Sequence, residues 1–482
     1  MNHLSFVFTT TTIALLLGGC TVGPDYGKPD MSCFTPATWR ANTGQQVEQP
    51  ADLAVWWKKL NDPTLNSLIT RSVECNLDVK SAEARIRQAV AIRRATKGDM
   101  FPSLSMDTSA TRSQSPRNGT TSFLPRINET YKGGFDTSWE IDLFGGIRRS
   151  VEAADADQEA AVEDMRDVLV SLVSEVTLNY IDLRSFEQRI SIAEKNLESQ
   201  LSTLDFVRSR QQAGLIADLE VERFVENVEN TRAGIPSLKT SYVAAKNRLT
   251  TLLGLTPGKL DELLQRRGIL PHVPTRIAVG IPAEAIRRRP DVQSAERTLA
   301  AETARIGVAV ADLYPKFALN GSIGLESINF SDFFDAGSRI FSIGPSASWD
   351  IFKGGTIRAN IEAQDAVQEQ ALLAYEKTIL TALEEVENAL TALANEQIRE
   401  RALARSAAAT VKAAGIARSQ YEDGGLTTFL DVLDAERSRL NAEDALATSR
   451  ALIVTNLVQL YRALGGGWES VAPRCDDQNH SD

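Results

Sequence analysis

Apolar residues recur along two long stretches of the chain at spacings of 4, 3, 4 and 3. In the first they are Leu169, Val173, Val176, Tyr180 and Leu183; in the second, 210 positions on, Ile379, Leu383, Val386, Leu390 and Leu393. Such a seam is the a/d stripe of a coiled coil. The first stretch runs without a breaker from Ile147 to about Gln212, and at 1.5 Å per residue it predicts a helix of roughly 100 Å. An ordinary globular domain has no use for such a rod.

Just upstream of each long helix the period drops to two. In residues 135–143, Phe135, Thr137, Trp139, Ile141 and Leu143 share one face, while Asp136, Ser138, Glu140 and Asp142 share the other. Residues 341–351, ending in Asp350 and Ile351, alternate likewise, and weaker strands are expected at 101–112 and 314–326. Strand passes to helix through Gly145-Gly146 and Gly354-Gly355, read as the swing points between strand tilt and helix tilt. Short strands with one apolar and one polar face fit a membrane β-barrel, although a soluble sandwich alternates in the same way. The smallest membrane barrels have about eight strands, so four must be shared between chains. Two chains would fill their interior with side chains; three, with twelve strands, would leave a lumen. Within that lumen Asp136, Glu140, Asp142 and Asp350 would give an acidic wall, or simply keep it wet.

The two stretches belong to a repeat of the whole plan. Gly145, Ile147 and Arg148 recur as Gly355, Ile357 and Arg358; Gly214-Leu215 recurs as Gly425-Leu426, and Leu253-Gly254 as Leu464-Gly465. Each copy predicts a first helix (64–99 and 281–312), two strands, the glycine junction, a long helix, a glycine turn and a returning helix. In copy one Pro236 predicts a break, giving helices near 218–233 and 237–253. The expected organisation is an α+β chain with a signal at 1–19, an extended segment at 20–63, repeats at 64–280 and 281–468, and a tail at 469–482.

Composition narrows the function. The 482 residues are 43% hydrophobic and only 6% aromatic, with a net charge of −11, which argues against a nucleic-acid partner. The N-terminus holds an apolar run too short to span a membrane, ending in Leu17-Gly18-Gly19-Cys20. This resembles a bacterial lipobox with Cys20 as the acylated residue, although its basic region holds only His3. Thr21 in the next position permits sorting to the outer membrane. Three cysteines remain, Cys33, Cys75 and Cys475; counted along the chain, Cys33 and Cys75 could reach the same level, and so could Cys475.

"VGPDYGKP" (22–29) after Cys20, "WWKKLNDPTLNSLI" (56–69), the two strand–glycine–helix junctions, "QYEDGGLTTFLDVLDAERSRL" (420–440) and "LYRALGGGW" (460–468) together resemble the TolC-like outer-membrane factors, in the lipoprotein branch that serves resistance-nodulation-division efflux pumps. The resemblance covers nearly all the mature chain. It implies a homotrimer, lipid-anchored on Cys20, whose twelve-stranded barrel in outer-membrane lipid continues as a helical barrel into the periplasm. It also implies a periplasmic adaptor (membrane fusion) protein and an inner-membrane pump as partners, no cofactor beyond the lipid, and a passive duct for small toxic compounds.

In that family the helix turns form the periplasmic mouth. The turns here are Gly214 and Gly424-Gly425; beside them lie Asp218 and Glu220, and Tyr421, Asp431 and Asp434. An arginine seen between turn and aspartates in some relatives is replaced by Thr427 and Thr428, and Arg210 or Arg437 could substitute. The acids could equally be helix caps. Two other readings are disfavoured. A type I protein-secretion duct lacks the lipobox and the pump-type motifs, and a trimeric coiled-coil adhesin carries its strands at the C-terminus. No nucleophile, metal or nucleotide motif stands out, and "GLTPGKL" (254–260) is too short in spacing for a phosphate loop. The expectation is a protein that is not an enzyme.

Overall fold

A computed structural model describes residues 21–30, 34, 36, 38–40, 53–116, 126–264, 270–271, 282–423 and 427–470. The signal segment with Cys20, and Cys33, Cys475, Gly424 and Gly425, lie outside the described residues. The chain forms two compact units, the first from residues 1–29, 84–162 and 294–376, the second from residues 30–83, 163–293 and 377–482. Each sequence repeat contributes to both units.

The elements follow one order twice. Helices α1 (Pro63–Cys75) and α2 (Leu77–Gly98) precede strands β1 (Ser103–Gln114) and β2 (Ile127–Ile141), then α3 (Gly146–Gln212) and α4 (Asp218–Leu252). Helices α5 (Pro282–Arg287) and α6 (Pro290–Ala311) precede β3 (Lys316–Ser327) and β4 (Arg339–Ser348), then α7 (Thr356–Asp423) and α8 (Phe429–Ala463). The long helices have 67 and 68 residues, and both returning helices have 35.

The first unit holds one antiparallel sheet in the order β1-β2-β3-β4. Its register sorts the side chains. Met106, Phe135, Ile323 and Phe341 lie opposite one another, as do Trp139, Leu319 and Pro345, so one face is mainly apolar, with Arg112, Glu129 and Arg339 toward the end away from the junctions. Ser105, Asp136, Ser322 and Ser342 form a row on the other face, which is mainly polar, with Ile340 and Ala318 as apolar exceptions. The outer strands β1 and β4 each have one edge unpaired by the described residues. Asp142 and Asp350 were expected on the polar face within strands, but β2 ends at Ile141 and β4 at Ser348. Both acids turn into the junctions instead: Asp142 accepts from the Arg148 backbone N–H (2.9 Å), and Asp350 pairs with Lys353 (2.7 Å).

The second unit is helical. Leu169, Val173, Val176, Tyr180 and Leu183 are fully buried, as are Ile379, Val386, Leu390 and Leu393, so the coiled-coil seam is the core; Leu383 alone is half-buried. Trp56 is buried beside it and stacks on Tyr461 at 5.1 Å. Helix α1 starts where Asp62 accepts from the Thr64 and Leu65 N–H groups, with Pro63 in the first turn. The other oxygen of Asp62 accepts from Tyr180 Oη at 2.6 Å, and burial with this hydrogen bond pushes the phenol up to about 12.

Three expectations about helices need correction. The first helix of copy one is broken at Asn76, whose Oδ1 accepts from the Asp78 and Val79 N–H groups and so caps a new helix. Its amide donates to the Leu252 carbonyl, tying the break to the end of α4. The matching helix of copy two breaks before Pro290, because the residue ahead of a proline is disfavoured in the α region. Pro236, by contrast, breaks nothing: α4 is continuous from Asp218 to Leu252. Phe224, Val228, Thr231 and Ile235 fix one face of α4 in the core, while Pro236 and Arg232 lie on the exposed side. There water can satisfy the carbonyl that proline leaves unpaired.

Candidate gate at the helix turns

Four helix ends in the second unit meet around one apolar cluster. Val207 of α3, Phe224 and Val228 of α4, Tyr421 of α7, and Phe429, Val432 and Leu433 of α8 are buried together. The first turn closes with paired bonds, from Leu215 N–H to the Arg210 carbonyl and from Gly214 N–H to the Gln211 carbonyl, both 2.9 Å. This ending needs a left-handed residue, and Gly214 supplies it at φ +75°. Asp218 accepts from Gln211 Nε2 across the turn at 2.9 Å, and Glu220 sits with it in the first turn of α4, where the helix dipole favours carboxylates.

Tyr421 is buried in this cluster rather than lining an opening. Its ring lies edge-on to Phe206 at 6.0 Å and carries the Arg210 guanidinium over its face at 4.9 Å. Arg210 also donates to the Tyr421 carbonyl at 3.1 Å. The phenolic oxygen is buried with no hydrogen-bond partner among the described residues, and burial raises its pKa. Arg437 instead donates to Asn227 Oδ1 at 2.9 Å.

The two aspartates differ in duty. Asp431 forms a capping box with Thr428: its carboxylate accepts from the Thr428 N–H (2.8 Å) and hydroxyl (2.6 Å), while Thr428 Oγ1 accepts from the Asp431 N–H (3.3 Å). These bonds hold its carboxyl below the usual range. Asp434, one turn on, is exposed and unpaired among the described residues.

At the strand–helix junctions in the first unit, both copies use one device. Trp139 Nε1 donates to the Met100 carbonyl and Trp349 Nε1 to the Leu313 carbonyl, at 2.9 and 3.0 Å. Gly145, Gly354 and Gly355 have positive φ, whereas Gly146 is already the first residue of α3. The segment after Cys20 docks here. Val22 N–H donates to the Phe144 carbonyl, and the buried Arg149 guanidinium holds the Val22 and Gly23 carbonyls, Asp25 and Glu152.

A family model described as Outer membrane efflux protein matches residues 68–255 and matches again over residues 281–466. The chain belongs to this family. Nodulation protein T of Rhizobium leguminosarum bv. trifolii is 32% identical over 470 residues, 96% of this chain and 98% of that protein. The toluene efflux pump outer membrane protein TtgI of Pseudomonas putida is 31% identical over 460 residues, 94% of this chain and 97% of its own length. Among solved structures, the outer-membrane channel OprN superposes with a TM-score of 0.87 at 38% identity, over 93% of this chain and 100% of OprN. The open-state MtrE channel of Neisseria gonorrhoeae gives 0.80 at 27% identity, over 94% and 99%. Like the efflux proteins among these relatives, this chain is an outer-membrane efflux channel component.

Sequence reasoning passed over several buried polar residues in the second unit of this efflux protein. Among the described residues, Glu436 is buried with one carboxylate oxygen lacking a partner, and both side-chain polar atoms of Gln200 are buried and unpartnered. Burial raises the Glu436 pKa, against the attraction of Arg439 and Arg418. For an acid whose folded pKa is raised, the stabilising state is the protonated one. That contribution is complete below the unfolded pKa and is lost as pH rises through the folded value. Glu436→Gln is therefore expected to be more thermostable than the wild type at neutral pH, with the difference shrinking toward acid pH. Melting curves of both proteins across the acidic range check this.

Proposed function

We propose that three copies of this chain form one passive duct through the outer membrane, each giving four strands to a twelve-stranded barrel. The observation that carries this reading is the sheet: one mainly apolar face, one mainly polar face, and two edges unpaired by the described residues, in a chain of an outer-membrane efflux family. A sheet closed by neighbouring copies removes its edges, as a membrane requires. The apolar face then meets lipid, and Asp136 and Glu140 face the lumen. Twofold matching by the family model supports an internal duplication, so six junctions and six helix turns would ring one pore.

Cys20 carries the lipid in this reading, and the docking of Thr21–Asp25 beside Phe144 and Gly145 supports an anchor at the level where barrel passes to helix. The helix turns form the closed periplasmic mouth. Leu215, Leu219 and Leu430, all exposed there, suit the tip for an adaptor protein that links it to an inner-membrane pump. The exported compounds are small and toxic; relatives are named for toluene and other solvents. Tripled, Asp434 would favour cations at the mouth. Asp434→Asn is expected to shift the reversal potential toward zero selectivity with unchanged melting, because it has no partner among the described residues, whereas Asp431→Ala alters both by uncapping α8.

Native mass spectrometry of protein purified from membranes tests the assembly. The expected result is a trimer in which each chain is lipid-modified, with the modification lost in Cys20→Ala. An unmodified monomer would overturn the proposal.

A further inference from the structure

Four aromatic rings gather at the end of the sheet away from the glycine junctions. Tyr131 of β2 meets Phe330 edge-on at 5.5 Å, Phe330 stacks with Phe333 at 6.5 Å, and Phe333 meets Phe334 edge-on at 5.0 Å. Three of these belong to the β3–β4 connection, residues 328–338. The connection is well knit: Ser338 Oγ donates to the Asp332 carbonyl at 2.7 Å, Asp335 N–H to the same carbonyl at 3.0 Å, and Asn329 and Ser331 donate to the Asp332 carboxylate. Nevertheless Ile328, Phe330 and Phe334 are 66%, 64% and 76% exposed. An ordered loop that holds three large apolar side chains in the open marks a contact surface.

The side on which the rings lie is fixed by one close approach. A Cβ built on Gly133 would sit 3.2 Å from the tip of the Phe333 ring. Gly133 is opposite Leu325 and Thr108, on the row that carries Phe135 and Ile323 two residues along. The connection thus folds down over the apolar face, not across the polar one. Arg339, opposite Leu325 on that same face, is exposed. A guanidinium facing lipid is costly at the bilayer midplane and nearly free of cost near its edge, so Arg339 marks the headgroup level.

The dimensions agree. From Phe317 to Leu325, the apolar row of β3, eight steps of ~3.4 Å give roughly 27 Å along the strand. At a tilt of about 40° this is roughly 20 Å of height, short of the ~25 Å apolar band of an outer-membrane barrel. Tyr131 and the Phe330 ring against it lie one row beyond Leu325 and extend the apolar band in that direction.

We propose that the β3–β4 connection is a lipid hook, with Phe330, Phe333 and Phe334 at the acyl–headgroup boundary of the outer leaflet and Arg339 on lipid phosphate. The proposal rests on the barrel reading above. It also implies that this connection does not close the lumen.

Nitroxide labels test it in vesicles of phosphatidylethanolamine and phosphatidylglycerol. The labels go on Phe330→Cys and Phe334→Cys separately, and on Phe341→Cys as a reference, with Cys33, Cys75 and Cys475 replaced by Ser and Cys20 kept for its lipid. Both loop sites are expected to collide severalfold more with oxygen than with a water-soluble nickel chelate, as the Phe341 site does. Should the Phe341 site behave this way while both loop sites favour nickel, the hook is wrong and the barrel stands. Nickel preference at all three sites would overturn the barrel and the hook together. If one loop variant fails to insert, the other decides.

Discussion

Gly23→Ala is expected to release the N-terminal segment from the first unit. Gly23 sits at φ +88°, and a Cβ there would lie 2.4 Å from the Gly307 Cα, a backbone atom that cannot swing aside. Left-handed strain alone costs about 1–3 kcal/mol, and overpacking adds about 1–3 kcal/mol. The bonds at stake are those that Arg149 makes to the Val22 and Gly23 carbonyls and to Asp25, with the Lys28–Glu296 pair beyond (2.7 Å). Burial alone would raise the Glu296 pKa, but hydrogen bonds from Lys28 and Arg297 outweigh it and keep the group ionised for that pair. Hydrogen exchange read by mass spectrometry should show residues 21–28 losing protection while the strands keep theirs. Unchanged protection of the segment would refute this account of the junction.

Tyr421→Ala is expected to have the largest effect at the helix turns, and Tyr421→Phe almost none. The ring is buried among residues of all four helix ends, so truncation should cost about 3–5 kcal/mol, as for other large aromatic side chains. It also removes the face on which Arg210 rests. The hydroxyl makes no hydrogen bond among the described residues, so its loss should be neutral or slightly stabilising. Single-channel recording is the readout: Tyr421→Ala should conduct more than the wild type, and Tyr421→Phe should match it. Equal gains in both variants would mean that the hydroxyl, not the packing, holds the turns together.

Much of this was legible in the sequence because periodicity reports burial directly. The 4-3-4-3 seam is the buried core of the second unit, and the alternation around Trp139 and Ile343 is the apolar face of the sheet. What periodicity cannot report is a choice made by tertiary partners. Asn76 breaks a helix because its side chain finds two backbone N–H groups and the Leu252 carbonyl, a partner 176 residues away. Pro236 breaks none because it faces outward. Tyr421 and Asp431 stood out as gate residues; within one chain the first is also a core aromatic and the second also a helix cap. The buried Glu436, Gln200 and Arg149 gave no signal, since a polar residue on a helix reads as exposed until its neighbours are known.

Planar-bilayer recording of the purified, lipid-modified protein tests the central claim most directly. A trimeric duct with closed helix turns predicts discrete ohmic steps that are small for the wild type and larger for Tyr421→Ala. Bilayers that stay silent with both proteins, although each is shown to have inserted, would contradict it.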